Sequence, residues 1–452
     1  MKFITPVRVL CATMAIVFIA LAISGGLVPV VSLDTPGHLA PWTWSGSIWG
    51  GRRGPLFGYL VAPFGEDFTL YPAIVLGLFF AVVYGLFRNL ENFGISQRAA
   101  LALTFPLLIS NSLLRYAREI HVEFPAIILL LLSISLLIRL QDVGRRNVWR
   151  WLSYLTALGS SYLIRPSFLP FMVVMPILFS AMGHLRKKGW QPGASTIVLL
   201  LSIAPFLTVS TIRYHVVGDF NTVSFGGVNM TGLTSAMLSE EIIPKLAPDH
   251  RDLARNILSG RDALVSRGEI CPMVIDYDKK EERSFRRTAR SYFDILANNF
   301  DEVLFRVVYQ EKRPGESWVR FNQRMMGFCL DVVRAAPLDY AMWVVGAVRS
   351  TIGTATAHNF PFVLGLGALL SVYLYLLYFS ELPKLRFPSL DVPVIVLITI
   401  LTILGSGVLP VFVTYPIIRY VSTTALFLPS LLFYVLFQLL CESRSGATHR
   451  QG

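Results

Sequence analysis

Long apolar runs separated by short polar connections are the dominant pattern along the chain. Ten of them approach the length of about 20 residues that an α-helix needs to cross a bilayer. They cover residues 7–32, 70–86, 99–112, 124–140, 149–163, 167–182, 195–212, 360–379, 392–408 and 421–440. The pattern predicts an all-α polytopic membrane protein with about ten transmembrane helices.

Composition agrees with that prediction. Of the 452 residues, 54% are hydrophobic and 15% are charged, whereas a soluble domain carries about 25% charged residues. The net charge of +12 does not indicate nucleic-acid binding, because Lys and Arg that flank spans and contact anionic lipid account for it. Membrane lipid is therefore an expected partner, and nucleic acid is not.

The cations in the short connections set the expected orientation, since Lys and Arg gather on the cytoplasmic side of membrane spans. One set of termini and connections holds Lys2, Arg8, Arg88, Arg98, Arg139, Arg145, Arg146, Arg150, Arg186, Lys187, Lys188, Lys384, Arg386 and Arg444. We therefore expect three parts. Residues 1–212 form an N-terminal transmembrane module with an outer loop at 33–69, residues 213–359 form a mainly helical exoplasmic segment, and residues 360–452 form C-terminal transmembrane helices.

Two cysteines, Cys271 and Cys329, fall in the expected exoplasmic segment. A disulfide is permitted on that side of the membrane. The sequence leaves open whether the two residues pair or pack separately as small apolar side chains.

A carboxylate stands where the first apolar run ends, in the stretch "VVSLDTPGH". Asp34 by itself fits a solvated residue at a helix end. The loop that follows contains three Trp residues, which favour the lipid–water interface, and then Arg52 and Arg53. These two arginines fit either interfacial anchors or ligands of an anionic headgroup.

The connection between the third and fourth runs, "LLRYAREIHVEFP", contains Arg115, Arg118, Glu119, His121 and Glu123. Ionisable residues at membrane depth are costly and usually pair or serve a site. Helical spacing would place Arg115 one turn from Glu119, and Glu119 one turn from Glu123. The charges either satisfy one another or reach into a cavity. His121 with two carboxylates could hold a divalent ion, but the ligand set is incomplete, so no metal site is assigned and metal dependence stays open.

Further cations follow three later runs on the same expected face. Arg165 interrupts "YLIRPSFLP", where Pro166 and Pro170 oppose a continuous helix. Arg213 follows the seventh run, and Arg419 with Tyr420 precedes the last. One acid facing several arginines at the outer interface is typical of a site for an anionic amphiphile.

In this order and sidedness, the motifs resemble those of the GT-C glycosyltransferases. The matching features are Asp34, "RRGPLFGYL", "RYAREIHVEFPA", "LIRPSFLPFMVVMP" and "RYVSTTALFLP". The resemblance is nearest to the lipid A aminoarabinose transferases and protein O-mannosyltransferases. It departs from the O-mannosyltransferases at Thr35, because their first loop carries an acidic pair and Asp34 is here followed by threonine. It departs from the aminoarabinose transferases at Arg165 and Pro166, where those enzymes tend to carry a lysine–glycine turn.

The resemblance implies a cell-envelope transferase that moves a sugar from a polyprenyl-phosphate carrier to a glycan, lipid or protein acceptor. It implies a multi-pass protein, with a bacterial inner membrane and a periplasmic active site as the expected setting. Asp34 would be the general base, and inversion at the anomeric carbon would follow. Arg165, Arg419, Arg53 and Arg115 would stabilise the leaving phosphate.

Two other functions share these features. A transporter or flippase of lipid-linked sugars would place charges near the bilayer midplane and would break helices in corresponding halves. A polymerase or ligase of surface polysaccharide would also use a polyprenyl-linked sugar, and typically relies on Arg and His in a late outer loop.

Overall fold

The computed structural model describes residues 5–31, 35, 56–65, 67–141, 147–186, 192–270, 299–357, 359–379, 387–412 and 425–448. Within these ranges the regular structure is helical, and the one β-type feature is an isolated bridge between Val30 and Glu119. The prediction of an all-α membrane protein is confirmed.

The helices that build the apolar bundle come from both ends of the chain. They are α1 (Pro6–Ile23), α2 (Leu56–Val61), α3 (Tyr71–Phe93), α4 (Gln97–Leu108), α5 (Asn111–Arg118), α6 (Glu123–Leu140), α7 (Val148–Ile164), α8 (Phe171–Leu185) and α9 (Pro192–Val217). After an intervening unit of α10 (Gly226–Thr234), α11 (Pro248–Ser266), α12 (Trp318–Ala335) and α13 (Pro337–Ala357), the bundle resumes with α14 (Phe360–Phe379), α15 (Asp391–Ile403) and α16 (Ser430–Thr448).

Seven helices in the described ranges are long and apolar enough to cross a membrane, and the bent pair α4–α5, with 51° between its members, could make an eighth. The predicted count of ten is therefore not confirmed. The predicted span 149–163 corresponds to α7, a helix of 17 residues. Of the predicted span 421–440, residues 421–424 lie outside the described ranges, and Ser430–Leu440 is a shorter apolar helix.

A tight turn joins α3 to α4 and makes them antiparallel. Gly94 ends α3 with φ 103°, a left-handed conformation that glycine adopts without steric cost. Ser96 then begins α4, because its Oγ accepts a hydrogen bond from the main-chain N–H of Ala99 at 3.2 Å. The turn residues lie beside the first residue of α15, since the Ser96 N–H donates to Asp391 Oδ1 at 2.9 Å.

We call the end of the bundle that contains Ser96, Asp391 and Gln438 the inner end, following the orientation that the cations predict. The opposite end is the outer end. Helices α1, α4 and α7 run from the inner end to the outer end, and α3 and α6 run from the outer end to the inner end. Neighbouring helices in this set pack side by side.

Small and polar residues let the bundle helices approach closely. A Cβ on Gly159 of α7 would stand 2.8 Å from Pro205 of α9, and the hydroxyls of Tyr154 and Ser202 join the same two helices at 2.8 Å. Asn89 of α3 donates to Ser135 Oγ of α6 at 2.8 Å. Such contacts stabilise helix packing where lipid removes much of the hydrophobic driving force.

A second apolar core lies in the unit between α9 and α14. Its fully buried members include Leu233, Ile257, Phe328 and Trp343. Helix α10 lies directly against α12, where the Gly227 N–H donates to Asn322 Oδ1 at 2.8 Å. This unit therefore has a hydrophobic core of its own, which packs α10 to α13 together.

Gly227→Ala should destabilise this unit. A Cβ there would stand 2.3 Å from the carbonyl oxygen of Asn322, so we expect the free energy of unfolding to fall by about 1–3 kcal/mol. Gly226→Ala is the matched control, because its Cβ would meet Met326 Cε at an ordinary 3.6 Å. Thermal unfolding in detergent measures both, and equal losses would contradict the described packing of α10 on α12.

Candidate functional site

The chain that leaves α1 is docked on the connection between α5 and α6. The Val30 N–H donates to the Arg118 carbonyl at 2.8 Å, and the Ile120 N–H donates to the Val30 carbonyl at 3.0 Å, which forms a parallel bridge. Thr35 is fully buried, and its Oγ1 donates to the Ile120 carbonyl at 2.9 Å. The start of the predicted outer loop is thereby fixed beside the charged connection.

This docking corrects the predicted end of the first span. Helix α1 ends at Ile23, and residues 24–31 continue as turns and irregular chain. The first run is therefore helical over 6–23 and not to residue 32, because the last residues of the run use their main-chain groups to bind Arg118 and Ile120.

Five of the predicted site residues lie outside the described ranges. They are Asp34, Arg52, Arg53, Arg419 and Tyr420. Cys271 also lies outside them, and Cys329 carries a free thiol, so the structure gives no support to the pairing that the sequence left open. Cys329 is buried in α12, and its Sγ donates to the Met326 carbonyl at 3.2 Å.

The charged connection forms two local pairs. Arg115 Nε donates to Glu119 Oε1 at 2.9 Å, with the Arg115 side chain 69% exposed, so the predicted one-turn spacing of this pair is confirmed. The expected spacing of Glu119 and Glu123 is wrong. Helix α5 ends at Arg118, Glu119 is extended with ψ 128°, and α6 begins only at Glu123.

The second pair is buried. His121 Nδ1 contacts Glu123 Oε2, and the two residues are 5% and 2% exposed. A buried carboxylate at the start of a membrane helix needs a partner to offset its desolvation. The imidazole supplies that partner, and the main-chain N–H of His121 donates to the Glu119 carbonyl at 2.8 Å.

Arg165 ends α7 at the outer end, as the two prolines predict. Its main chain is extended, with φ −131° and ψ 95°, and a short 3₁₀ turn, Pro166–Phe168, leads into α8. The guanidinium is buried at 4% exposure, donates from Nε to Ser167 Oγ at 3.0 Å and lies 5.0 Å from the centre of the Phe168 ring. It is a buried cation held by its own turn.

Arg213 is held by partners that the sequence prediction missed. It lies within α9, which continues to Val217, and its Nη2 donates to Asp219 Oδ2 at 2.8 Å and to Ser224 Oγ at 2.6 Å. Ser224 also donates to Asp219 at 2.7 Å. Arg213 and Asp219 form a buried ion pair, Ser224 is hydrogen-bonded to both, and together they fix the start of the second unit on α9.

Tyr71 Oη and Arg118 Nε are among the buried polar atoms that have no hydrogen-bond partner within the described part of the chain. Tyr71 is 2% exposed at the start of α3, with its ring 5.4 Å from that of Phe64. The sequence reasoning missed Tyr71, since a Tyr at a helix start reads as an interfacial residue. Buried polar atoms without partners are rare in proteins and often mark a position where a ligand binds.

The described predicted residues therefore share the outer end, and apart from Arg118 each has a nearby partner in the described part of the chain. Arg115 binds Glu119, His121 binds Glu123, Arg165 binds Ser167 and Arg213 binds Asp219. Within the described ranges no group of three His, Cys, Asp or Glu residues could hold a metal ion. Asp34 lies outside these ranges, and the divalent ion remains an expectation from the sequence.

Comparison of the chain with known proteins identifies no similar protein. The chain matches no family model, no curated protein and no solved structure.

Arg213 and Arg115 should differ in their effect on stability. Arg213→Gln leaves the Asp219 carboxylate buried without its counter-charge, and breaking a buried pair costs about 3–5 kcal/mol. Arg115→Gln removes an exposed pair one turn apart, which contributes less than about 1 kcal/mol. Denaturant or thermal unfolding of the two variants in detergent measures this difference, and equal losses would contradict the buried position of Arg213.

Proposed function

We propose that this protein is an integral-membrane glycosyltransferase. It moves a sugar from a polyprenyl-phosphate carrier to an acceptor at the outer face, with inversion at the anomeric carbon. The observation that carries the proposal is the docking of Val30 and Thr35 on residues 118–120. It joins two segments that are far apart in sequence, one of which contains Asp34 and the other the buried pair of His121 and Glu123.

The outer end supplies the two kinds of group that such a reaction uses. A carboxylate base takes the proton of the acceptor hydroxyl or amine while the acceptor atom attacks the anomeric carbon. The bond from that carbon to the carrier phosphate breaks, and the electron pair stays on the phosphate oxygen. Cations near that oxygen stabilise the developing charge. The buried guanidinium of Arg165 is the described cation that fits this role, with Arg419 as its undescribed counterpart.

Asp34 is the proposed base, because its covalent neighbour Thr35 is anchored in the docked segment. Glu123 fits less well, since it is already in contact with His121. His121 and Glu123 instead form a buried polar pair directly after the residues on which the segment is docked. In the same way, Arg213 stabilises the unit that follows α9, and we assign it no contact with the donor.

A second candidate is a transporter or flippase of lipid-linked sugars, favoured by one observation. The span α4–α5 is bent by 51°, and a cavity of about 170 Å³ lies beside the bend, lined in part by Pro106, Ser110 and Asn359. Pro106 is about 15 Å along α4 from Ser96, which is near mid-bilayer depth. Interrupted helices at that depth are typical of transporters.

Asp34→Asn should lower sugar transfer by about 10²- to 10⁴-fold, because the amide cannot accept the proton of the acceptor. The measurement is release of free polyprenyl phosphate from a labelled polyprenyl-phosphate sugar in proteoliposomes. Asp67→Asn is the control, since Asp67 lies exposed in the same loop and its carboxylate binds only Thr69 in the described structure.

Two outcomes of that assay would contradict the proposal. Near wild-type release by the Asn variant would remove Asp34 from catalysis. A wild-type protein that moves the labelled lipid across the bilayer without releasing polyprenyl phosphate would establish the transporter function instead.

Neutralising Arg165 or Arg419 should weaken donor binding more than acceptor binding. Loss of a charge-assisted contact with the lipid phosphate should raise the KM for the donor about tenfold or more. Arg165→Lys keeps the buried charge and guards against misfolding, and Arg334→Gln on the exposed side of α12 is the control. An unchanged donor KM in both neutralised variants would remove these arginines from the phosphate site.

A further inference from the structure

An open cavity of about 580 Å³ lies at the inner end, far from the site described above. Its volume is within the range of about 300–1,000 Å³ that small-molecule sites occupy. It lies between the start of α1, the start of α4 and the middle of α16. Its polar lining comes from Ser96, Gln97, Arg98 and Gln438, and its apolar lining includes Pro6 and Phe387.

The cation in this cavity is held in a fixed position. Arg98 Nη1 donates to Gln438 Oε1 at 2.8 Å. Gln438 Nε2 donates to the Tyr434 hydroxyl at 3.1 Å, and that hydroxyl donates to Asp391 Oδ2 at 2.5 Å. A guanidinium that is already ordered loses less conformational entropy when it binds an anion.

The carboxylate at the other end of this chain of hydrogen bonds is not among the residues that line the cavity. Asp391 is fully buried and also accepts hydrogen bonds from the N–H and Oγ of Ser96, at 2.9 and 2.5 Å. With the Tyr434 hydroxyl it therefore has three donors. Asp391 joins α4, α15 and α16, while Arg98 and Gln438 line the cavity.

The surroundings favour an anionic lipid. Phe387, which lines the cavity, is 41% exposed, so part of the wall is apolar and open. Arg8 is exposed two residues after Pro6. By the distribution of cations this end faces the cytoplasmic leaflet, where anionic lipids supply a negative surface potential. A phosphate diester with acyl chains fits a cavity that combines one ordered guanidinium with apolar walls at the level where the helices end.

We propose that this cavity binds the headgroup of an anionic phospholipid, with the lipid phosphate on Arg98. The bound lipid adds a further contact between α1, α4 and α16 at the inner end. The proposal is independent of the reaction at the outer end.

The test measures lipid binding to the purified full chain by native mass spectrometry, with phosphatidylglycerol and phosphatidylcholine as the two probes. Wild type should bind phosphatidylglycerol more tightly than phosphatidylcholine. Arg98→Gln should weaken phosphatidylglycerol binding about tenfold, the loss expected for one charge-assisted contact. Arg88→Gln is the control, because Arg88 also lies near the inner end, is 49% exposed and pairs with Glu91.

A second variant guards against misfolding of Arg98→Gln. Gln438→Glu keeps the shape of the side chain and its contact with Arg98, but places a negative charge beside the phosphate position, so it too should weaken binding of phosphatidylglycerol. Equal binding of the two lipids by wild type would overturn the proposal. Unchanged phosphatidylglycerol affinity in Arg98→Gln or in Gln438→Glu would overturn it as well.

Discussion

Three hydrogen bonds hold the chain that leaves α1 against the connection between α5 and α6. Two are main-chain bonds of Val30, and the third joins Thr35 to Ile120. Buried main-chain N–H and C=O groups need hydrogen-bond partners, so irregular segments that pack together must satisfy one another. This requirement explains why two irregular segments, distant in sequence, lie side by side. It also fixes one end of the loop that leads to α2, which packs on α7.

The two ends of the bundle satisfy their buried charges differently. At the inner end, Asp391 receives three hydrogen bonds and ties three helices together. At the outer end, His121 and Glu123 form a buried pair, and Tyr71 Oη and Arg118 Nε are buried without hydrogen-bond partners in the described residues. A saturated network favours rigidity, and an incompletely satisfied one favours ligand binding. The contrast is consistent with the proposed site at the outer end and a rigid inner end.

Local sequence features predicted the parts of the fold that depend on local chemistry. Apolar runs located α3, α6 and α14, because hydropathy alone decides whether a segment of that length lies in lipid. The pairing of Arg115 with Glu119 was also correct, since Glu119 directly follows the last turn of α5 and its carboxylate reaches back to Arg115. Pro166 correctly indicated that the chain turns after α7.

What the sequence missed depends on contacts between distant segments. The bridge of Val30 to Glu119 uses main-chain atoms and leaves no signature in side-chain pattern. It also holds Glu119 in an extended conformation, which is why the expected spacing to Glu123 failed. Arg213 was predicted at a helix edge, and its partner Asp219 was missed because the pair forms only when the chain folds back after α9.

The most direct test of the docked segment is a cysteine cross-link between positions 30 and 119 in a chain whose native cysteines are replaced by Ala. Neighbouring strands of a bridge lie about 5 Å apart, a separation that a disulfide spans without distortion. The account predicts that Val30→Cys with Glu119→Cys cross-links readily in membranes under mild oxidation, and that Ile23→Cys with Glu119→Cys does not. Failure of the 30–119 pair to cross-link, or equal yields from the two pairs, would contradict it.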